Sequence, residues 1–293
     1  MHIFTKKSAY IAWRTGLTDH AFVPTMGALH DGHLALVRSA RADHQAVSAS
    51  IFVNPKQFGP REDLARYPRP REHDVQMLKD AGVAAVFAPG DGEMYPSGFS
   101  TEVHVTGPLT ERFEGAVRPG HFVGVATVVA KLLLIARPTV AYFGQKDAQQ
   151  VLVVMRMVAD LDLACRIAVV PTQREPDGLA MSSRNVYLTP DDRLVAPSLF
   201  AALNRINHAY RDGERRAGML EQVGHAYLRT QPPVQLEYLN VVSPMDLAEL
   251  EVVHEGALAV VAARIGGTRL IDNILIGDVV LGARAHNEPS EHT

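Results

Sequence analysis

Through the first half of the chain, short β-branched apolar runs alternate with stretches whose apolar positions recur every three or four residues. Ala21 to Thr25, Val47 to Val53, Ala84 to Ala88, Val140 to Phe143 and Ile167 to Val170 predict strands. Leu34 to Ala42, Glu72 to Ala81, Gly124 to Ala136 and Ala148 to Ala159 predict the intervening helices. The alternation implies an α/β fold, a Rossmann-like doubly wound parallel sheet covered by helices on both faces. In such sheets ligands gather at the carboxyl ends of the strands.

The pattern changes after Gln173. A polar stretch, Arg174 to Asn185, contains Pro176, Asp177 and Gly178 and reads as a loop. A helix start follows, with Thr189 as N-cap, Pro190 at the first helical position and two acids, Asp191 and Asp192, facing the positive end of the helix dipole. Pro197 should kink or restart that helix. A further helix is expected from Glu214 to Arg229. Strands follow at Leu236 to Val242, Leu258 to Ala263 and Leu270 to Ile276, with Gly266 and Gly267 making a hairpin turn. The chain therefore divides into a Rossmann-like domain, residues 1–173, and a smaller α+β C-terminal domain, residues 174–284. The polar tail, residues 285–293, is expected to be disordered.

Composition narrows the functional classes. The 293 residues are 47% apolar and carry a formal net charge of −3, which gives no basic field for holding nucleic acid. After Lys6 and Lys7, Trp13, Arg14 and Thr15 interrupt any apolar export signal. The longest apolar stretch, Phe122 to Ala136, is broken by Lys131 and is short of the roughly 20 residues a bilayer requires. These features predict a cytoplasmic protein. Cys165 is the only cysteine, so no intrachain disulfide can form, and its apolar setting predicts an inert core thiol.

Candidate chemistry lies at the ends of the predicted strands. His30, Asp31, Gly32 and His33 follow the strand ending Pro24, Thr25, Met26, Gly27 and open a helix, where backbone donors attract anions such as a triphosphate. The strand-to-helix context favours phosphate binding, and the alternative is a pair of capping histidines. Met181, Ser182, Ser183 and Arg184 offer hydroxyls and a guanidinium to phosphate oxygens, or else form a polar surface loop. Gly144, Gln145, Lys146 and Asp147 leave another strand, and Lys146 would bring a mobile cation to phosphates unless it is simply solvated. Asn54, Pro55, Lys56 and Gln57 form a rigid turn whose Gln57 amide could meet a hydroxyl and a carboxylate together.

The paired His-x-Gly-His and Met-Ser-Ser-Arg strings resemble the two signatures of the adenylate-forming nucleotidyltransferases, a superfamily that includes class I aminoacyl-tRNA synthetases. More closely, the chain resembles the pantoate–β-alanine ligase family over Pro24 to Val37, Ser50 to Gly59, Asp63 to Pro68, Arg118 to Lys131, Tyr142 to Gln150 and Asp177 to Leu188. Resemblance is weaker in the last third and includes Arg269 to Ile274.

That resemblance implies an AMP-forming ligase that activates pantoate with ATP and Mg²⁺ and passes the acyl group to β-alanine. It implies that Met26, Gly27, Ala28, Leu29, His30, Asp31, Gly32 and His33 hold ATP, with His33 and His30 catalytic. Gly144, Gln145, Lys146, Asp147, Gln173, Met181, Ser182, Ser183 and Arg184 complete the implied ATP set, Lys146 and Arg184 also being catalytic. Gln57 and Gln150 match glutamines that hold pantoate, Gln57 adjoining the β-alanine position. His121, Asn54 and Tyr67 fall on positions near the pocket. The implied partners are these small molecules and a second copy in a homodimer. Because the mixed anhydride must be kept from water, the C-terminal domain is expected to close as a lid hinged near Arg174 to Gly178. Two positions depart from the family pattern: Gln145 stands where Glu is usual, and Lys56 occupies a variable position. A nucleotidyltransferase that adds AMP to a phosphate is the rival reading, and Gln57 and Gln150 argue against it.

Overall fold

A computed structural model describes residues 1–60 and 62–282. The expected tail, residues 285–293, lies outside the described residues. Six parallel strands form one sheet in the order β1-β4-β3-β2-β5-β6: β1 (His2–Phe4), β2 (His20–Thr25), β3 (Ala46–Ile51), β4 (Ala85–Phe87), β5 (Val140–Gly144) and β6 (Arg166–Val170). The helices up to β6 are α1 (Lys7–Arg14), α2 (Asp31–Asp43), α3 (Arg71–Asp80), the single turns α4 (Asp91–Met94), α5 (Pro108–Glu111) and α6 (Glu114–Val117), α7 (His121–Ala136) and α8 (Ala148–Asp160).

The α/β expectation holds, with five of the six strands at the expected places. β1 escapes sequence reading because three residues at a sheet edge, only Phe4 of them partly buried, carry no periodicity. β3 ends at Ile51, two residues before the apolar run does, since Asn54 and Pro55 begin a 3₁₀ turn over Pro55–Gln57. Apolar side chains of β2, β3 and β5 pack with Leu36, Val37 and Ala40 of α2 into a buried core. α7 is buried almost all round, which explains its continuous apolar sequence.

Cys165 is half-exposed beside β6 and not in the core. Burial still pushes its thiol up to about 11, so it remains protonated and unreactive at neutral pH.

Contacts group residues 1–144 and 153–173 as one unit and Gln145–Leu152, with the chain from Arg174 onward, as a second. The short Gln145–Leu152 segment thus groups with the later part of the chain.

The second unit contains α9 (Pro190–Val195), α10 (Ser198–Arg211), α11 (Ala217–Leu228) and an antiparallel sheet of β7 (Val234–Val242), β8 (Gly256–Ile265) and β9 (Thr268–Gly277). Thr189 caps α9 by accepting from the Asp192 amide, and α9 stops at Val195 so that α10 restarts after Pro197. Gly266 and Gly267 make the two-residue hairpin between paired Ile265 and Thr268. α11 begins three residues later than its composition suggests. Glu214 accepts the amides of Arg215 and Arg216, and that stretch pairs with the chain at Glu251 to Val253 instead of winding into helix.

Candidate active site

In the first unit, β2 bonds to both β3 and β5, and the crossovers run in opposite directions from it, so the carboxyl ends of β2 and β5 mark the switch point of the sheet. From β2 the chain turns through Met26 to Leu29 into α2. His30 is the N-cap of α2: its Nδ1 accepts from the Gly32 amide at 3.1 Å, and His33 Nδ1 accepts from the His30 amide at 3.3 Å. The two rings lie 4.1 Å apart, centroid to centroid.

The capping alternative is therefore realised, and it has a chemical consequence. With Nδ1 of each neutral ring accepting, the ring proton sits on Nε2, so both imidazoles are hydrogen-bond donors at the edge opposite the cap. Capping and anion binding use different nitrogens and do not compete.

A second lattice orients Gln57. Asn54, 1% exposed, accepts at Oδ1 from the Lys56 amide (3.3 Å) and from the Tyr95 hydroxyl (2.7 Å). Its Nδ2 donates to Gly124 O (3.1 Å) and to Gln57 Oε1 (3.0 Å). Backbone groups cannot exchange donor and acceptor roles, so the Lys56 amide and the Gly124 carbonyl fix the Asn54 amide, which in turn fixes Gln57. Gln57 Nε2 is thereby the donor, held 3.0 Å from Met26 Sδ, a weak acceptor. α7 comes close here: a Cβ on Gly124 would stand 2.3 Å from Lys56 O.

His121 braces the same turn, donating from Nδ1 to Gln57 O at 2.8 Å while its Nε2 accepts from Arg118 at 3.0 Å. Burial, reinforced by the Arg118 charge, pushes its imidazole down to about 4, so it is neutral at physiological pH. Arg118 grips Glu62 through two bonds of 2.9 and 2.7 Å. Burial pushes the Glu62 carboxyl upward, but the bonds and charge of Arg118 outweigh it and hold it below the usual carboxylate range. Tyr67 is buried with its ring edge against Phe58. Gln173 is half-buried, and its side chain bonds Pro171 O.

In the second unit, Asn273 holds the Gln145 to Asp147 turn. Its Nδ2 donates to the carbonyls of Gln145 and Lys146, both at 2.9 Å, and its Oδ1 accepts from Gln145 Nε2 at 3.2 Å. Asp272 pairs with both terminal nitrogens of Arg174 at 2.6 and 2.9 Å, and the guanidinium lies 3.7 Å over the Phe200 ring. Arg174, at the expected hinge, is thus fastened within its own unit. Lys146 Nζ lies 3.8 Å from Asp147. Ser182 caps the 3₁₀ turn Ser183–Tyr187 by accepting from the Arg184 amide at 3.3 Å. Gln150, in the first turn of α8, is half-buried.

Tyr95, Glu62 and Asn273, which bond Asn54, Arg118 and the Gln145–Asp147 turn, are not singled out as site residues by the sequence motifs, nor is Asp74, whose carboxylate accepts from the Ala28 and Leu29 amides. Asp74 carried a signal, since it shares a helical stripe with Leu78, four residues on, where an apolar residue is expected. Asp272 and Asn273 carried another, two adjacent polar residues between the apolar pairs Leu270–Ile271 and Ile274–Leu275.

A doubly wound parallel sheet whose switch-point strand runs into a His-capped helix defines a Rossmann-like α/β protein. Within that class the chain belongs to the pantoate-beta-alanine ligase family, whose model matches residues 2–275. It is 54% identical over 264 residues to the pantothenate synthetase of Chloroflexus aggregans, covering 90% of this chain and 95% of that one. The crystal structure of pantothenate synthetase from Thermus thermophilus superposes with a TM-score of 0.90 at 50% identity, covering 94% and 99% of the two chains. The Francisella tularensis ligase, solved with beta-gamma ATP and beta-alanine, gives a TM-score of 0.79 at 33% identity over 94% and 97%.

Proposed function

We infer that this chain condenses pantoate with β-alanine at the expense of ATP, through a pantoyl adenylate, releasing pyrophosphate and AMP. The observation that carries the reading is the reciprocal His30–His33 cap, which uses Nδ1 of each ring and sets the ring proton on Nε2 at a helix start where anions are favoured. In the first step the pantoate carboxylate attacks the α-phosphorus in line. That carboxylate is already ionised, so no general base is needed. The task of His30, His33, Lys146, Ser182, Ser183 and Arg184 is then to stabilise charge developing on the phosphates. Gln57, locked as a donor, suits an oxygen of pantoate, and Gln150 is assigned the same substrate. The backbone of Gln173 is assigned to adenine. In the second step the neutral amine of β-alanine attacks the acyl carbon, the bond to AMP breaks, and the nitrogen releases one proton as the amide forms.

Magnesium fits this scheme as part of the MgATP substrate. Mg²⁺ keeps several waters and enters such sites on phosphate oxygens, needing few protein ligands. Among the described residues no group of three or more His, Cys, Asp or Glu side chains is placed to hold a cation.

Among the described residues no helix is long and apolar enough to cross a membrane. We assign the enzyme to the cytoplasm, working as a homodimer, which light scattering at twice the 32.0 kDa chain mass would verify.

The decisive experiment is exchange of labelled pyrophosphate into ATP, with MgATP and without β-alanine. Exchange that depends on pantoate, followed by pantothenate formation when β-alanine is added, is expected. Folded protein that exchanges nothing with pantoate present would overturn the reading.

A further inference from the structure

The turn that delivers His30 is unusual in its backbone. Gly27 has φ +78° and Ala28 φ +50°, and an alanine in the left-handed region is disfavoured unless its surroundings hold it there. What holds it is Asp74, reaching from α3 and 1% exposed. Its Oδ2 accepts from the Ala28 amide and its Oδ1 from the Leu29 amide, each at 2.8 Å. Successive amides in such a turn form a concave anion site, and here a carboxylate of the protein itself fills it. The absent side chain of Gly27 makes the room, since a Cβ there would lie 2.8 Å from Asp74 Oδ2.

We propose that Asp74 is a positioning residue for adenylation, setting the turn so that His30 caps α2 and both imidazoles present Nε2–H to the nucleotide. Two consequences follow directly. The backbone amides of Ala28 and Leu29 are committed to Asp74 and do not bind triphosphate, so any part these residues play with ATP runs through the shape of the turn. The proposal rests on the reading of His30 and His33 as phosphate donors, and it adds the residue that aims them.

Asp74→Asn tests it. The change keeps the shape but sets one acceptor and one NH₂ against two amide donors, so the turn must shift. In protein shown to be folded by circular dichroism, pantoate-dependent pyrophosphate exchange at saturating substrates should fall at least tenfold. KM for pantoate should stay within about twofold, because the Asn54 lattice that orients Gln57 does not include Asp74. Gly27→Ala keeps the carboxylate and wedges a methyl group against it. It should give the same selective loss, and it carries the test if Asp74→Asn does not fold.

The second readout is independent of turnover: ¹⁵N spectra of the imidazoles should show His30 and His33 as Nε2–H tautomers in the parent and lose that pattern in the variant. Exchange within twofold of the parent in a folded variant overturns the proposal. So does a tautomer pattern unchanged by either substitution, or a loss that merely follows the folded fraction. A parent that shows the tautomers but no exchange would fault the proposed reaction instead, and the spectra of the variants would still decide the role of Asp74 in the turn.

Discussion

At the scale of single residues, the site is organised by groups whose polarity cannot change. The Tyr95 hydroxyl makes the shortest bond to Asn54, yet two backbone groups already fix which way that amide faces. Tyr95→Phe should therefore loosen Gln57 without inverting it. A lost hydrogen bond of about 1 kcal/mol corresponds to a rise in pantoate KM of about fivefold. KM for ATP should not move, and steady-state kinetics with each substrate varied in turn checks both. The histidines make a second prediction. Burial is the main cause holding both His20 and His121 near 4, against 6.5 for an exposed imidazole. Below pH 6.5 the unfolded chain takes up protons that these folded imidazoles refuse. Their contribution is thus complete above about pH 6.5 and drains away as pH falls to about 4, on the order of 3 kcal/mol for His121. Urea unfolding across pH 4 to 8 should show that slope, and a flat profile would contradict the assignment.

At the scale of elements, close approach matters more than propensity. α7 lies against the Pro55–Gln57 turn because Gly124 has no side chain there. Gly124→Ala would favour the isolated helix, but its Cβ would meet the Lys56 carbonyl at 2.3 Å. Overpacking of that kind costs about 1–3 kcal/mol, so a lower melting temperature is expected together with a raised pantoate KM. A variant as stable as the parent would show that the helix can yield. The α9 start is a simpler element, and Thr189→Ala should lose about 1 kcal/mol of stability by removing one side-chain cap. Calorimetry should register that loss, with turnover unchanged.

At the scale of the whole molecule, the chain order of the two units is interleaved. Gln145–Leu152 groups with the part of the chain that begins at Arg174. Asn273 ties Gln145 and Lys146 there through two backbone carbonyls, a link spanning more than a hundred residues of sequence. Asn273→Ala should leave both carbonyls short of a buried donor, at about 1–3 kcal/mol. The expected result is a lower melting temperature and slower pantoate-dependent exchange at saturating ATP. Exchange and stability both at parental levels would mean that Lys146 is held by other means.

Much of this protein was legible in one dimension because the rules involved are local. Five parallel strands, the Thr189 cap, the restart after Pro197 and the Gly266–Gly267 hairpin all follow from alternation, capping chemistry and the missing amide of proline. The His-x-Gly-His string could be placed at a helix start for the same reason. Whether those histidines cap the helix stayed open in the sequence, since which ring nitrogen faces the backbone depends on the turn geometry. Tertiary structure alone decided that Asp74 shapes this turn, that Asn54 dictates the donor face of Gln57 and that Asn273 holds Lys146. Each is a polar group of ordinary type, and its role comes from burial beside a backbone segment distant in sequence, where an unmade hydrogen bond would be costly.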